Sequence, residues 1–369
     1  MGKLTTEKPF TELVERTREV ARIDSDNDRS RARGAVNHAY TQKVPREEDW
    51  TVLLATSSIP CTPRYNTGLA TATTQSTTVS FSGAALTAAM TGRRIKFAEE
   101  GNVYAFTYVN ASTGTISPQL SGTRNITGGA FDVFQPVYSL AADFERFKKE
   151  SGPEYWTGGR PATVRCVDEY EFKRDYSAVP GIPSICRLVT SGTDGLQAIE
   201  LSPPPKDAIH LPYEYLRKLA PLRESTAGVI TIDAGSTVVV GSAGTTRFTE
   251  AQVGWYLRVD AHGTGEDSEW YRILGLTHNS SLTLQSAFGP VAATTAPYTL
   301  AAAPALPAMM HDAIWQSAVM SIAADQNDPL FKLYDAEYGK VISDAKRLYK
   351  SRQYNRHTES DLEDYNFRR

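Results

Sequence analysis

The segment Asp260–Asp267, Asp-Ala-His-Gly-Thr-Gly-Glu-Asp, is the part of this sequence best suited to metal chemistry. Its clustered carboxylates and glycines could supply the oxygen ligands that Ca²⁺ prefers in a tight loop. The spacing of the acidic residues, however, does not fit an EF-hand loop. A second acidic segment, Ala98–Asn102, occupies the corresponding place in an earlier repeat and has the pattern of an ordinary hairpin tip. We interpret both segments as solvated turns and predict no metal site.

Catalytic and cofactor-binding patterns are missing from the sequence. No two of the 6 histidines have the i, i+4 spacing that places two ligands on one helical face. The HExxH, GxGxxG, GxxxxGK[ST] and GxSxG motifs do not occur. The segment Gly241–Gly244 resembles a phosphate loop but lacks its lysine, and we predict a hairpin turn there. The sequence therefore predicts no catalytic residues and no cofactor, and it favours a protein that is not an enzyme.

Charge and cysteine content narrow the class of protein further. A net charge of −3 argues against a strongly basic nucleic-acid binder, although it allows a local basic patch. The three cysteines, Cys61, Cys166 and Cys186, are odd in number and form no CxxC pair, so we expect no disulfide framework and synthesis in a reducing cytoplasm. No apolar run approaches the ~20 residues that span a bilayer, and the first residues lack the apolar stretch of a signal peptide.

A β-rich pattern occurs twice in the chain. Each copy begins at a glycine followed by alternating apolar residues, Gly68 in the first and Gly228 in the second. The copies also share a later glycine and an aromatic strand: Gly92 and Tyr104 in the first, Gly254 and Tyr271 in the second. Such alternation between Thr, Ser and Gly residues is typical of short antiparallel strands joined by turns. We therefore predict two duplicated small β modules.

Helical periodicity is confined to the two ends of the chain. Apolar residues recur at helical spacing on either side of Ser25, and again after Pro307 and after Pro329. Short helix pairs are marginal alone, so we expect the N-terminal and C-terminal pairs to form one helical bundle. Trp50–Leu54 is predicted as an anchoring strand or extended segment. The predicted fold class is α+β, with a central antiparallel β region and the two modules inserted between the terminal helices.

The predicted domains follow these changes in pattern. They are the N-terminal helices (1–54), first β module (67–134), central β region (135–222), second β module (228–302), C-terminal helices (303–350) and an extended C-terminal arm (351–369).

Three groups of residues carry a resemblance to a known family. The first group is Leu13–Val20, Ala35–Tyr40 and Trp50, and the second is Ile199–Asp207 with Leu211–Leu222. The third is Met310–Trp315 with Ala323–Asp325. Together they resemble the paired helices, the strand–turn–strand and the closing helices of head-to-tail adaptor (connector, or neck) proteins of tailed bacteriophages.

The resemblance implies a structural virion protein, made in the cytoplasm of the bacterial host. Such a protein would form a ring, usually of twelve subunits, beneath the portal protein. The ring would join the capsid to a tail or nozzle protein, continue the DNA channel and contact the DNA non-specifically, with no membrane involved. The two β modules enlarge this chain beyond a compact adaptor.

The same resemblance implies roles for particular residues. The C-terminal arm would insert into the portal, with contacts from Arg352, Tyr354, Arg356, Tyr365, Phe367, Arg368 and Arg369. Arg93 and Arg94 are candidates for the DNA channel or a subunit interface.

Two other functions are compatible with the sequence. One is a β-rich tail fibre or baseplate module that binds a host surface glycan. The other is a carbohydrate-active enzyme, which would require a cleft with converging carboxylates.

Overall fold

The computed structural model describes residues 7–23, 25–148, 152–157, 160–190, 195–242, 244–260, 269–289, 291–326, 328 and 330–349. The fold is mixed α+β, with mostly antiparallel sheets and a few helices. The chain divides into two compact units. The inserted unit is Leu54–Lys218, and the terminal unit combines Met1–Leu53 with Leu219–Arg369.

The terminal unit begins with helices α1 (Phe10–Ala21), α2 (Asp26–His38) and the short α3 (Val44–Arg46). Helix α1 ends at Arg22, whose left-handed φ of 52° breaks the helical path. Ser25 then starts α2 through a capping box, in which its side chain accepts from the Asp28 backbone N–H. Thr51–Leu53 forms a 3₁₀ turn, so the extended segment predicted over Trp50–Leu54 is wrong in its middle. Trp50 forms an isolated β-bridge, and the first strand begins at Leu54.

The inserted unit contains a seven-stranded antiparallel sheet in the order β7-β2-β3-β6-β5-β4-β8. Strands β1 to β8 are Leu54–Cys61, Leu69–Ala72, Thr78–Ser82, Arg94–Phe97, Val103–Asn110, Thr113–Ser117, Ile126–Gly129 and Phe131–Phe134. Alternate side chains of these strands face a shared core, which includes Ile95, Phe97, Tyr104 and Phe106. Strands β4 and β5 are paired neighbours, which confirms the hairpin predicted at Ala98–Asn102.

Smaller sheets make up the rest of the inserted unit. Strands β9 to β16 are Val137–Ser139, Phe144–Phe147, Glu154–Thr157, Arg160–Thr163, Arg165–Cys166, Ile185–Thr190, Gln197–Ser202 and Ile209–Arg217, and helix α4 is Glu169–Arg174. They form a four-stranded sheet (β13-β14-β15-β9), a three-stranded sheet (β1-β16-β10) and a β11-β12 pair. All pairs are antiparallel except β13 with β14.

The terminal unit contains an eight-stranded antiparallel sheet in the order β17-β24-β20-β21-β22-β19-β18-β23. Strands β17 to β24 are Glu224–Ser225, Ile230–Ile232, Val238–Gly241, Tyr256–Val259, Tyr271–His278, Ser281–Leu284, Ala293–Ala296 and Tyr298–Ala301. Read from β23 to β24, this order matches the order of the seven-stranded sheet strand for strand. The chain does turn after Gly241, where the Thr245 and Thr246 backbone N–H groups donate to the Ser242 carbonyl oxygen. Strand β20 follows β19 in the chain but does not pair with it, so the turn predicted at Gly241–Gly244 is present and its assignment to a hairpin is wrong.

The chain returns to helix in α5 (His311–Gln326) and α6 (Leu330–Tyr349). Helix α5 contacts α1, α2 and α6, and it is therefore buried on several sides rather than along one stripe. Helix α6 buries Tyr338, Ile342 and Ala345, whereas Leu333 and Leu348 are 53% and 68% exposed. Within the described ranges, no helix has both the length and the apolar character needed to cross a membrane.

Candidate functional site

An ion-pair network in the inserted unit holds one of the two arginines predicted at a DNA channel or interface. Arg94 on β4 lies 2.9 Å from Glu200 on β15, measured from Nη1 to Oε1. Arg187 on β14 approaches the other carboxylate oxygen of Glu200, with its Nη2 at 2.6 Å. The Glu200 side chain is only 3% exposed, so two cations offset a buried negative charge. The guanidinium of Arg94 is thus engaged inside its own unit.

Tyr176 extends this network. Arg94 Nη1 donates to the Tyr176 hydroxyl at 3.3 Å, and burial raises the pKa of that hydroxyl. The neighbouring Arg93 is half-buried, and its Nε has no hydrogen-bond partner within the described part of the chain. The role predicted for Arg93 in a channel or interface stays a prediction.

A second charged cluster ties the terminal helices to their sheet. Glu224 on β17 is 8% exposed, and it pairs with Arg29 and Arg33 of α2. Thr11 of α1 donates from Oγ1 to the same carboxylate at 2.7 Å. The pKa of Arg33 is lowered by burial and by the charge of Arg29. Because the carboxylate is shared by three donors, α1, α2 and β17 are held in one arrangement.

Strand β20 makes further polar contacts with α1. Arg258 lies 3.3 Å from Glu15 and 3.2 Å from Asp260, and its guanidinium stacks 4.8 Å from the centre of the Trp270 ring. Thr299 also donates to Asp260, at 2.6 Å. Asp260 directly follows β20, and its side chain is held by Arg258 of β20 and Thr299 of β24. The rest of the acidic segment considered for calcium, 261–267, lies outside the described residues. Among the residues that are described, no group of three or more His, Cys, Asp or Glu side chains is placed to hold a metal ion.

A cavity of about 360 Å³ lies beside a π-helical turn of the terminal unit, Ala39–Lys43. It is lined by His38, Gln42, Lys43, Arg46 and Glu47. This donor-rich set can hydrogen-bond the oxygens of a phosphate or carboxylate group. Turns of this kind are frequent at functional sites.

The π turn is explained by Pro45, and contacts with Tyr338 of α6 hold the side chains beside it. Pro45 has no backbone N–H and its ring crowds the carbonyl one turn earlier, so the helix widens just before it. Lys43 Nζ then lies 4.9 Å from the centre of the Tyr338 ring, and Tyr338 donates its hydroxyl proton to Glu47 at 2.8 Å. Burial and the Glu47 carboxylate raise the pKa of Tyr338. Sequence reasoning missed this cavity, and Pro45 at the end of a helical stretch was its only signal.

The residues predicted to bind the portal all belong to 351–369 and lie outside the described residues. They are Arg352, Tyr354, Arg356, Tyr365, Phe367, Arg368 and Arg369.

Comparison with known proteins gives no family. No protein-family profile matches the chain, and no curated protein matches it. Among solved structures, it has a weak likeness to translation elongation factor SelB from Methanococcus maripaludis. For the apo form the identity is 14%, the TM-score is 0.15, and the match covers 67% of this chain and 62% of that one. For the complex with the GTP analogue GppNHp the identity is 14%, the TM-score 0.16 and the coverage 68% and 63%. The chain thus spans less than two thirds of these structures, and a likeness at this TM-score carries no conclusion about fold or function.

Proposed function

We propose that this protein is a structural head-to-tail adaptor of a tailed bacteriophage and not an enzyme. One observation carries the proposal: α1 and α2, from the first part of the chain, pack against α5, which in turn packs against α6. Helices from both parts of the chain therefore lie in one unit, with the β material between them in sequence. This is the architecture that the resemblance of the terminal segments to adaptor proteins implies. In the proposal these four helices are the helical bundle of the adaptor.

The two larger sheets are, in this proposal, duplicated modules attached to the adaptor core. Their matching strand order supports duplication, as do two shared glycine positions. Gly68 and Gly228 both have a φ of +94°, and Gly92 and Gly254 both have a φ of +86°. Similar amino-acid composition alone would not give two sheets the same order of seven strands and the same glycine conformations at their turns.

The adaptor would act as a ring, usually of twelve subunits in that family, between the portal and a tail or nozzle protein. Residues 351–369 follow α6 and would form the arm that inserts into the portal. Arg93 and the cavity beside the π turn are the places proposed for contact with DNA phosphates or with acidic groups of a neighbouring subunit. The protein would be made in the host cytoplasm and reside in the virion neck.

Removal of the arm tests this proposal. A chain lacking 351–369 should keep the circular dichroism spectrum and unfolding midpoint of the full chain, yet fail to join portal-containing particles that lack the adaptor. The full chain should join them and form a ring visible by electron microscopy. A truncated chain that assembles normally would contradict the arm, whereas a full chain that stays monomeric beside the portal would contradict the adaptor function. Binding of the full chain to host surface glycan under the same conditions would favour a tail fibre or baseplate module instead.

A further inference from the structure

Two of the three cysteines lie side by side in the inserted unit. Cys166 on β13 and Cys186 on β14 are directly paired in the parallel register of these strands, and their sulfur atoms are 2.9 Å apart. Backbone hydrogen bonds on both sides fix this pairing, from Arg165 N–H to Ser184 and from Val167 N–H to Cys186. Neighbouring strands lie about 4.8 Å apart, which is within the Cα separation of disulfide bonds. The backbone therefore already has the spacing that a disulfide requires.

The two thiols differ in their surroundings. Cys186 is fully buried in a core that includes Ile199 and Leu201, whereas Cys166 is only partly buried at the edge of that core. The hydrogen bond from the Cys186 thiol lowers the pKa of Cys166, although burial acts in the opposite direction. Cys166 is thus the more accessible thiol and the one more readily converted to the nucleophilic thiolate.

We propose that Cys166 and Cys186 are a redox modification site, in which a small disulfide such as oxidised glutathione converts the two thiols to an intramolecular disulfide. The Cys166 thiolate attacks one sulfur of oxidised glutathione, the S–S bond of that molecule breaks, and the first glutathione leaves as a thiolate. The Cys186 thiolate then attacks the Cys166 sulfur and releases the second glutathione. The two protons lost by the cysteines end on the two released glutathiones, and the protein is oxidised by two electrons.

The crosslink would close a loop that contains α4. Asp168 caps this helix by accepting from the Glu171 backbone N–H at 2.8 Å, so the helix begins at Glu169, three residues after Cys166. A disulfide between Cys166 and Cys186 limits the movement of the start of this loop relative to β14. It also reduces the number of conformations that the unfolded chain can adopt. We therefore expect oxidation to slow amide hydrogen exchange in α4.

The test is oxidation of the folded full chain with oxidised glutathione, followed by thiol titration in denaturant and a tryptic map. The reduced chain contains 3 cysteines. The oxidised chain should retain a single titratable thiol and lose about 2 Da, the mass of two hydrogen atoms. Peptides 166–173 and 175–187 should appear as one crosslinked species that reduction separates. Full retention of all three thiols would overturn the proposal, and so would a crosslink that includes peptide 47–64, which carries Cys61.

Two variants make the assignment specific. Cys61 is buried on β1, and burial raises its pKa to about 12, so Cys61→Ala should leave the oxidation unchanged. Cys166→Ser replaces the partly exposed thiol and should abolish the 2 Da loss. If the Cys166→Ser chain still lost two thiols, the pair would not be the modified site. If a variant fails to fold, the crosslinked peptide expected from the wild-type chain still tests the proposal.

Discussion

Arg94 and Glu200 join two different sheets of the inserted unit through an ion pair of 2.9 Å. The carboxylate also receives Arg187, so its removal leaves two guanidinium groups without their common partner. Breaking a buried pair from one side costs about 3–5 kcal/mol, and partial exposure of both arginines reduces this. We expect Glu200→Gln to lower the free energy of unfolding by about 2 kcal/mol, measured by urea denaturation.

A surface pair provides the control for Glu200. Glu214 lies 2.8 Å from Lys148, but its side chain is 55% exposed. Glu214→Gln removes the same charge from an exposed pair and should cost less than about 0.5 kcal/mol. Equal losses in the two variants would show that the Glu200 network adds nothing beyond a surface ion pair.

Two glycines that lie beside strands of the seven-stranded sheet allow two effects of a glycine-to-alanine change on stability to be separated. One effect is steric overlap of the added Cβ, and the other is strain in the left-handed backbone. Both Gly68 and Gly92 have positive φ, but an added Cβ at Gly68 would lie 2.5 Å from the Ser82 carbonyl oxygen. At Gly92 an added Cβ meets nothing within 4 Å. Gly92→Ala should therefore cost about 1–2 kcal/mol from its left-handed conformation alone. Gly68→Ala should cost clearly more, because the Ser82 backbone must also move.

The comparison is made by urea unfolding of the two single variants. The Gly68→Ala midpoint should fall below that of Gly92→Ala. The reverse order would mean that the turn at Gly68 relaxes more easily than its contacts indicate.

The sequence predicted local features of this fold better than distant ones. The alternation around Tyr104 and Tyr271 located two strands of equal length, because strand burial repeats every second residue. The pairing of Arg94 with Glu200 joins residues far apart in the chain and depends on sheet order and register. Neither quantity is encoded in the spacing of apolar residues. The hairpin wrongly predicted at Gly241–Gly244 has the same origin, since a turn signal does not specify which strand pairs next.

The candidate sites show the same limit. The cysteine count argued against a disulfide framework, but it carried no sign that Cys166 and Cys186 are neighbours across two strands. After Pro329, helical periodicity predicts one apolar face that includes Leu333, Tyr338 and Leu348. Of these three side chains on α6, only Tyr338 is buried in its own chain. Periodicity identifies an apolar face but does not specify which part of that face the chain itself covers.

The exposed leucines of α6 provide a test of ring formation. In the proposed ring, Leu333 and Leu348 would be covered by a second copy of the chain, because apolar side chains are costly to leave in water. Leu333→Glu with Leu348→Glu should leave the free energy of unfolding of the isolated chain within about 0.5 kcal/mol, since both positions are exposed. The double variant should nevertheless fail to form rings with the portal, as measured by particle mass.

Ser343→Glu is the matched control for these leucines, because Ser343 is also exposed on α6. It adds a carboxylate to the same helix without removing an apolar side chain. Loss of rings in Ser343→Glu as well would attribute the effect to charge on α6. Rings formed by the double leucine variant would exclude these side chains from the interface.

The final prediction concerns His311, which is buried at the start of α5. The Lys8 backbone N–H donates to His311 Nδ1 at 2.9 Å, and Nε2 lies 2.9 Å from the Leu306 carbonyl oxygen. The neutral ring with its proton on Nε2 satisfies both contacts, whereas a second proton on Nδ1 would remove the bond from Lys8. Burial lowers the pKa of His311, and nearby Lys8 acts in the same direction against the Leu306 carbonyl, Glu7 and Asp312.

The sign of the pH effect follows from this lowered pKa. As the pH falls below 6.5, the ordinary pKa of histidine, His311 is protonated in the unfolded chain at a higher pH than in the folded chain. Stability from the neutral ring is therefore complete above pH 6.5 and is lost as the pH falls from there to the folded pKa. Asp312 also has a lowered pKa, through Lys8 and Trp315 despite burial, but its effect starts only near its ordinary value of 3.8.

Substitution of His311 isolates its contribution. His311→Gln should flatten the decline in the free energy of unfolding as the pH falls below 6.5, because the titrating ring is absent. His278→Gln, at the exposed end of β21, removes an imidazole that is in water in both states and serves as the control. Urea unfolding at a series of pH values measures all three chains. If the free energy of unfolding depends on pH in the same way for wild type and His311→Gln, a different group causes the loss of stability in acid. A free energy of unfolding that instead falls as the pH rises through 6.5 would contradict the sign derived from burial.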